Sequence, residues 1–194
     1  MKLAVLKYNA GNIQSVLFAL ERLGVSALVT DEPDEIRSSD KFIFPGVGEA
    51  SSAMLYLKKR NLDKVIKNLT QPVFGICLGL QLLCSHSEEA DTDCLSVFDT
   101  EVKKFDSDQL KIPQIGWNNI SSLESKLFSG VEENSFCYFV HSYYAELCDD
   151  TTATTEYGTS FSSALQKNNF YAVQFHTEKS SAVGARILKN FLEL

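Results

Sequence analysis

Residues 73–83 read Val73-Phe-Gly-Ile-Cys-Leu-Gly-Leu-Gln-Leu-Leu83. A short apolar run of strand length meets a bend, with Gly75 and Gly79 on either side of Cys77, and a helical pattern follows. A strand that turns this sharply into a helix is the core of a βα unit, and the turn lifts the residue at its apex out of the sheet. Leu3 to Leu6, Val25 to Val29 and Phe42 to Phe44 are further strand-length runs, each bounded nearby by Gly, Pro, Asp or Asn. Between the first two, Ile13, Val16, Leu17, Leu20 and Leu23 recur at helical spacing, and Gly24 stands where a helix would end. Residues 50–59 and 62–69 repeat the helical pattern before residue 73. This alternation predicts parallel βαβ units with right-handed crossovers and helices on both faces of the sheet.

The pattern changes downstream of the bend. Short apolar-polar alternations such as Val97-Phe-Asp and Val102-Lys-Lys-Phe fill residues 95–120, a short helical piece falls near 123–128, and a strand-like run covers 136–140. These predict antiparallel additions at the edge of the sheet. Phe170-Tyr-Ala-Val-Gln-Phe175 reads as a last strand, and residues 181–194 as a helix whose Val183, Ile187, Leu188, Phe191 and Leu192 form one apolar stripe. With no repeat, low-complexity tract or linker, residues 1–194 are expected to form a single domain of the α/β class, its central sheet mainly parallel.

Composition narrows the function. The chain has 18 basic and 25 acidic residues, a net charge of −7 and no basic run, which argues against a backbone-driven grip on nucleic acid or an anionic membrane. The apolar run in Met1 to Tyr8 is too brief for a signal segment, and no later stretch approaches the roughly 18 apolar residues of a membrane span. A cytoplasmic location is expected. Cys77, Cys84, Cys94, Cys137 and Cys148 are odd in number and include no C-x-x-C pair, a poor fit to a disulfide framework or a zinc site.

Cys77 is the cysteine whose setting calls for more. On such a bend the helix amino terminus favours thiolate, small neighbours leave room for a substrate, and the Leu78 N–H points at a developing oxyanion. A buried small hydrophobe at a strand end remains the alternative, and the bend alone does not choose. About a hundred residues later comes Gln174-Phe-His-Thr-Glu-Lys179. In an extended segment His176 and Glu178 project to one side, so the carboxylate can fix the imidazole tautomer and leave its other nitrogen for a thiol. His86 sits in the polar stretch Ser85-His-Ser-Glu-Glu and reads as a solvated loop residue, and His141 as a wall or packing residue. Pro45-Gly-Val-Gly48 can present a backbone N–H to an anion or turn it away, although a plain tight turn also explains it.

These residues resemble the class I, triad-type glutamine amidotransferases, in which a G-x-C-x-G elbow is served by a His-x-Glu pair. The resemblance covers essentially the whole chain. Tyr8-Asn-Ala-Gly-Asn12 with Ser15-Val16, Phe44-Pro-Gly-Val-Gly48, Gly75-Ile-Cys-Leu-Gly79 with Gln81, Ile115-Gly-Trp-Asn118 and Gln174-Phe-His-Thr-Glu-Lys-Ser180 narrow it to the glutaminase subunits of imidazole glycerol phosphate synthases. The resemblance implies a three-layer fold and Cys77 as nucleophile, with His176 as base and then acid and Glu178 as its orienting carboxylate. It implies an oxyanion site made by Leu78 and the Gly46-Val47-Gly48 segment, and bound glutamine among Gly48, Gln81, Ser142 and Tyr143. No cofactor or metal is implied. The implied partner is a (β/α)8 synthase, or cyclase, subunit in a heterodimer, which would receive ammonia and form imidazole glycerol phosphate and an aminoimidazole carboxamide ribotide. Asn12, Trp117, Tyr138 and Lys179 suit that contact, while Trp117 could instead pack in the core. The chain departs from the family at Thr177, where proline is usual, at Gln114, where histidine is common, and at Leu80, where methionine is common. A glutaminase serving another synthase, and a non-catalytic binding module on the same fold, are the competing readings.

Overall fold

The computed structural model describes residues 1–8, 13–108 and 110–194. The apolar runs form a parallel sheet. β1 (Leu3–Leu6), β3 (Lys41–Gly46) and β4 (Val73–Cys77) are buried along their length, as strands covered on both faces must be. β2 (Ala27–Thr30) starts two residues later than expected because Val25 still closes the preceding helix, α1 (Ile13–Arg22). The Val25 N–H donates to the Leu20 carbonyl and the Gly24 N–H to that of Glu21, with Gly24 at φ +75°, a left-handed helix end that suits glycine.

The remaining helices are α2 (Pro33–Arg37), α3 (Ala50–Lys59), α4 (Leu62–Lys67), α5 (Leu78–Leu83) and α6 (Ser181–Glu193). The five-residue α2, with proline in its first turn and acidic Asp34 and Glu35 beside it, is too short to show helical periodicity and was not expected. Side chains alternate across each strand, which makes two cores and three layers. Ala4, Leu6, Phe42 and Phe44 pack with α2 to α5, while Leu3, Val5, Ile43 and Ile76 pack with α1 and α6.

Beyond β4 the order continues through β13 (Phe170–Val173), parallel to β4, to β12 (Ser160–Lys167), β10 (Tyr143–Ala145), β7 (Glu101–Lys104), β5 (His86–Ser87) and β6 (Thr92–Asp93). β11 (Thr151–Glu156) pairs with β12, and β8 (Gln114–Ile120) pairs with β9 (Ser135–His141) in a separate antiparallel ribbon. The additions do lie on one side of the parallel sheet, but β11 and β12 were not expected. Their hydroxyl-rich sequences lack an apolar alternation, yet Ser162 is buried. Its hydroxyl donates to the Glu146 carbonyl at 2.8 Å and pairs with Thr151 Oγ1 at 2.7 Å. His86 is not in a solvated loop either. It lies half-buried in β5, with its ring nitrogens 3.2 Å from Asp91 and Asp93. No helix among the described residues is long and apolar enough to cross a membrane.

Candidate active site

Cys77 is the last residue of β4, and its φ of 56° with ψ of −107° is the sparsely populated conformation that a strand-to-helix bend stores at its apex. β4 holds register with β3 up to the pair Gly46 and Cys77, and α5 begins at the next residue. The glycine at 79 serves this crossing rather than substrate access: a Cβ there would lie 1.9 Å from the Phe44 carbonyl oxygen. Leu78 opens α5, so helical geometry leaves its N–H without an intrahelical acceptor.

His176 and Glu178 come together, though not through an extended segment. β13 ends at Val173, and Thr177–Lys179 form a single 3-10 turn that folds Glu178 back onto the imidazole. His176 Nδ1 lies 2.8 Å from Glu178 Oε1, with the two side chains only 3% and 1% exposed. Burial works against the imidazolium, but the charge of a Cys77 thiolate, its hydrogen bond and Glu178 together outweigh it and raise the His176 pKa to about 10. The imidazole therefore bridges carboxylate and sulfur. The backbone is fixed as well. The His176 N–H donates to the Tyr138 carbonyl at 2.9 Å, and the Ser180 hydroxyl donates to the His176 carbonyl at 2.7 Å.

A cavity of about 460 Å³ opens onto Cys77 and His176, with Val47, Gly48, Leu78, Gln81, Ser142 and Tyr143 in its wall. Gly46 does not line it. It lies beneath, at the end of β3, where the Tyr8 hydroxyl donates to the neighbouring Pro45 carbonyl at 2.8 Å. His141, in the wall, is held as a neutral imidazole. Burial, with the charge of His176 adding, depresses its pKa to about 4, and its Nδ1–H donates to the Tyr143 carbonyl at 2.8 Å.

Glu89 also faces the cavity and was not singled out in the sequence. Its Oε2 accepts the Ala50 N–H at 2.7 Å, and burial raises its carboxyl pKa against that bond. Nothing in Ser87-Glu-Glu-Ala90 distinguishes it from a surface acid; only the fold brings it into the cavity that holds Cys77.

Trp117 is 52% exposed, which removes the core-packing alternative, and meets Tyr138 edge-on across the ribbon at 5.8 Å between ring centroids. Exposed Ile115 and Phe136 extend the apolar face, and Lys179 reaches the cavity rim. Asn12 lies outside the described residues. Of the departures from the family, Thr177, Gln114 and Leu80 are all buried.

The glutamine amidotransferase class-I family matches residues 5–194. The chain belongs to the class-I glutamine amidotransferases. This amidotransferase is 57% identical, over 196 residues and the full length of both chains, to imidazole glycerol phosphate synthase subunit HisH of Bacteroides thetaiotaomicron. It is 45% identical over 200 residues to the same-named subunit of Shewanella loihica, covering 98% of this chain and 89% of that one. Within the family it therefore groups with the HisH subunits. Solved structures agree on the fold. A putative GMP synthase subunit from Thermoplasma acidophilum superposes with a TM-score of 0.73 at 22% identity, covering 100% of this chain and 93% of that one. A structure described as a glutamine amidotransferase reaches 0.76 at 17% identity, covering 100% and 98%.

Proposed function

We propose that residues 1–194 act as one glutaminase domain, the HisH subunit of an imidazole glycerol phosphate synthase, which hydrolyses L-glutamine and passes ammonia to a (β/α)8 cyclase subunit. The observation that carries the chemistry is Cys77 on a strained bend, hydrogen-bonded to an imidazole that a buried carboxylate holds 2.8 Å away.

In this reading the Cys77 thiolate attacks the side-chain amide carbon of glutamine, and the C=O electron pair moves onto oxygen. The N–H of Leu78 and one from Gly46-Val47-Gly48 stabilise that oxyanion. His176 gives its proton to the departing nitrogen, which leaves as ammonia, and a glutamyl thioester remains. The imidazole then takes a proton from water; hydroxide adds to the thioester, and glutamate departs as the Cys77 thiolate is restored. In the same reading Glu89, in the cavity wall, receives the α-ammonium of the substrate, with Gln81, Ser142 and Tyr143 around it; their shared place in the wall supports this.

The cyclase partner is assigned to the ribbon face of Ile115, Trp117, Phe136 and Tyr138, with Lys179 at the cavity rim beside it. Large exposed aromatics are common anchors of such contacts. The same ribbon supports the site, because the Tyr138 carbonyl holds the His176 N–H at 2.9 Å and the Val140 carbonyl lies 3.8 Å from Cys77 Sγ. Docking there is therefore transmitted through one strand to both reacting groups. At the cyclase the ammonia is used to form imidazole glycerol phosphate and an aminoimidazole carboxamide ribotide in histidine biosynthesis.

In a reconstituted complex, Cys77→Ala abolishes glutamine-dependent synthesis while ammonium salt still drives the cyclase. Glutamine-dependent synthesis surviving in that variant would overturn the assignment of the nucleophile.

A further inference from the structure

We propose that Gln174 is a positioning residue for the nucleophile: its carboxamide N–H donates to Cys77 Sγ and, through Gln81, ties the sulfur to the wall of the substrate cavity. The proposal rests on Cys77 being the nucleophile. Gln174 is fully buried at the end of β13, with its backbone N–H on the Ser163 carbonyl at 2.9 Å. A buried carboxamide needs partners for both ends, and it has them. Nε2 is 3.7 Å from Cys77 Sγ, and Oε1 accepts from Gln81 Nε2 at 3.1 Å.

Which end faces the sulfur follows from the network rather than from the shape of the amide. Gln81 places the same nitrogen 2.8 Å from the Tyr143 carbonyl, and a backbone carbonyl only accepts. That end of Gln81 is therefore the NH₂ group, the atom of Gln174 facing it is the oxygen, and the Gln174 NH₂ is turned to the sulfur. On its other side Cys77 meets the Val140 carbonyl at 3.8 Å. That carbonyl can only accept the S–H of the thiol, whereas the Gln174 N–H remains available once the proton has gone to His176. A donor held on the sulfur favours the charged form. The carboxamide is also fixed by its own backbone and by Gln81, so it does not reorganise when charge appears. Both hydrogens of Gln81 are spent on this network, which leaves its Oε1 as the acceptor for an N–H of bound ligand.

The test is the pH–rate profile of Cys77 alkylation by iodoacetamide in the full chain, read on the Cys77 peptide by mass spectrometry. It uses Gln174→Met, which keeps the volume without the donor, and Gln174→Glu, which keeps the acceptor for Gln81 but sets a charge against the sulfur. The expected shift in the midpoint of the profile for Gln174→Met is about one pH unit upward, with the limiting alkaline rate unchanged. Gln174→Glu shifts further in the same direction. A residue that merely fills the core would alter unfolding and leave the profile in place, so a folded variant of either kind with the unshifted profile overturns the proposal. The profile is independent of turnover: failure of the glutaminase reading appears instead as glutamine-dependent synthesis by Cys77→Ala.

Discussion

Glu178 does its work at a distance of one hydrogen bond. It touches His176 Nδ1 and is almost fully excluded from water, so its effect is to keep the proton of the resting tautomer on that nitrogen and to stabilise the imidazolium. Glu178→Gln is expected to lower kcat by about 100-fold or more with KM little changed, measured by steady-state glutaminase assays of the complex. Gly79 answers to packing instead. An alanine there meets the Phe44 carbonyl at 1.9 Å, and Gly79→Ala should destabilise the chain by about 3 kcal/mol, seen as a lower urea midpoint. Cys77, His176 and Glu178 were legible in the sequence because each sits within two residues of a strong local signal. Glu89 was not legible as a site residue, and Gln174 was read only as the start of the motif that carries His176. Nothing around Glu89 in the sequence says what it will face, and the motif around Gln174 does not say that its side chain turns to the sulfur.

The β8–β9 ribbon is the element through which the site meets its surroundings. Exposed Trp117 meets half-buried Tyr138 edge-on on the face proposed for the partner, and the ribbon's carbonyls touch Cys77 and His176. Trp117→Ala is expected to weaken binding of the cyclase by about 2 kcal/mol, roughly 30-fold in Kd by titration calorimetry, while the unfolding midpoint of the free chain barely moves. The segment Pro45 to Gly48 lies across the cavity from this ribbon. Glutaminase turnover by the free chain should be low and rise steeply with the cyclase and its ligand, because a glycine-rich loop can hold its N–H away from the oxyanion position. Full turnover without partner would contradict that gating. At this scale the apolar strands were legible and the hydroxyl-rich ones were not. In β12 the buried Ser162 bonds its hydroxyl to Thr151 of β11 and to the Glu146 carbonyl, a solution that leaves no hydrophobic period to read.

Across the whole molecule the parallel half was plain in the sequence, since β1, β3, β4 and β13 are buried on both faces and so apolar nearly throughout. The antiparallel half places His141 among Phe105, Phe139 and Phe161, and that burial couples stability to pH. The imidazole takes a proton below about 6.5 in the unfolded chain but only near 4 in the folded one. Over that window the unfolded state binds the extra proton, so stability is full above pH 6.5 and falls as pH falls, by about 3 kcal/mol in all. His141→Asn, which keeps an N–H for the Tyr143 carbonyl, should flatten this acid limb relative to the parent chain in urea unfolding between pH 7 and 5. The fold as a whole brings Cys77 and His176 to a cavity of about 460 Å³, with the Glu178 carboxylate buried behind the imidazole. The most direct measurement of that claim is acid quenching of the complex during turnover of radiolabelled glutamine, followed by peptide mapping. The expected result is a glutamyl label on the peptide carrying Cys77, lost in Cys77→Ser. Label on another residue, or turnover that continues in Cys77→Ser, would contradict the account.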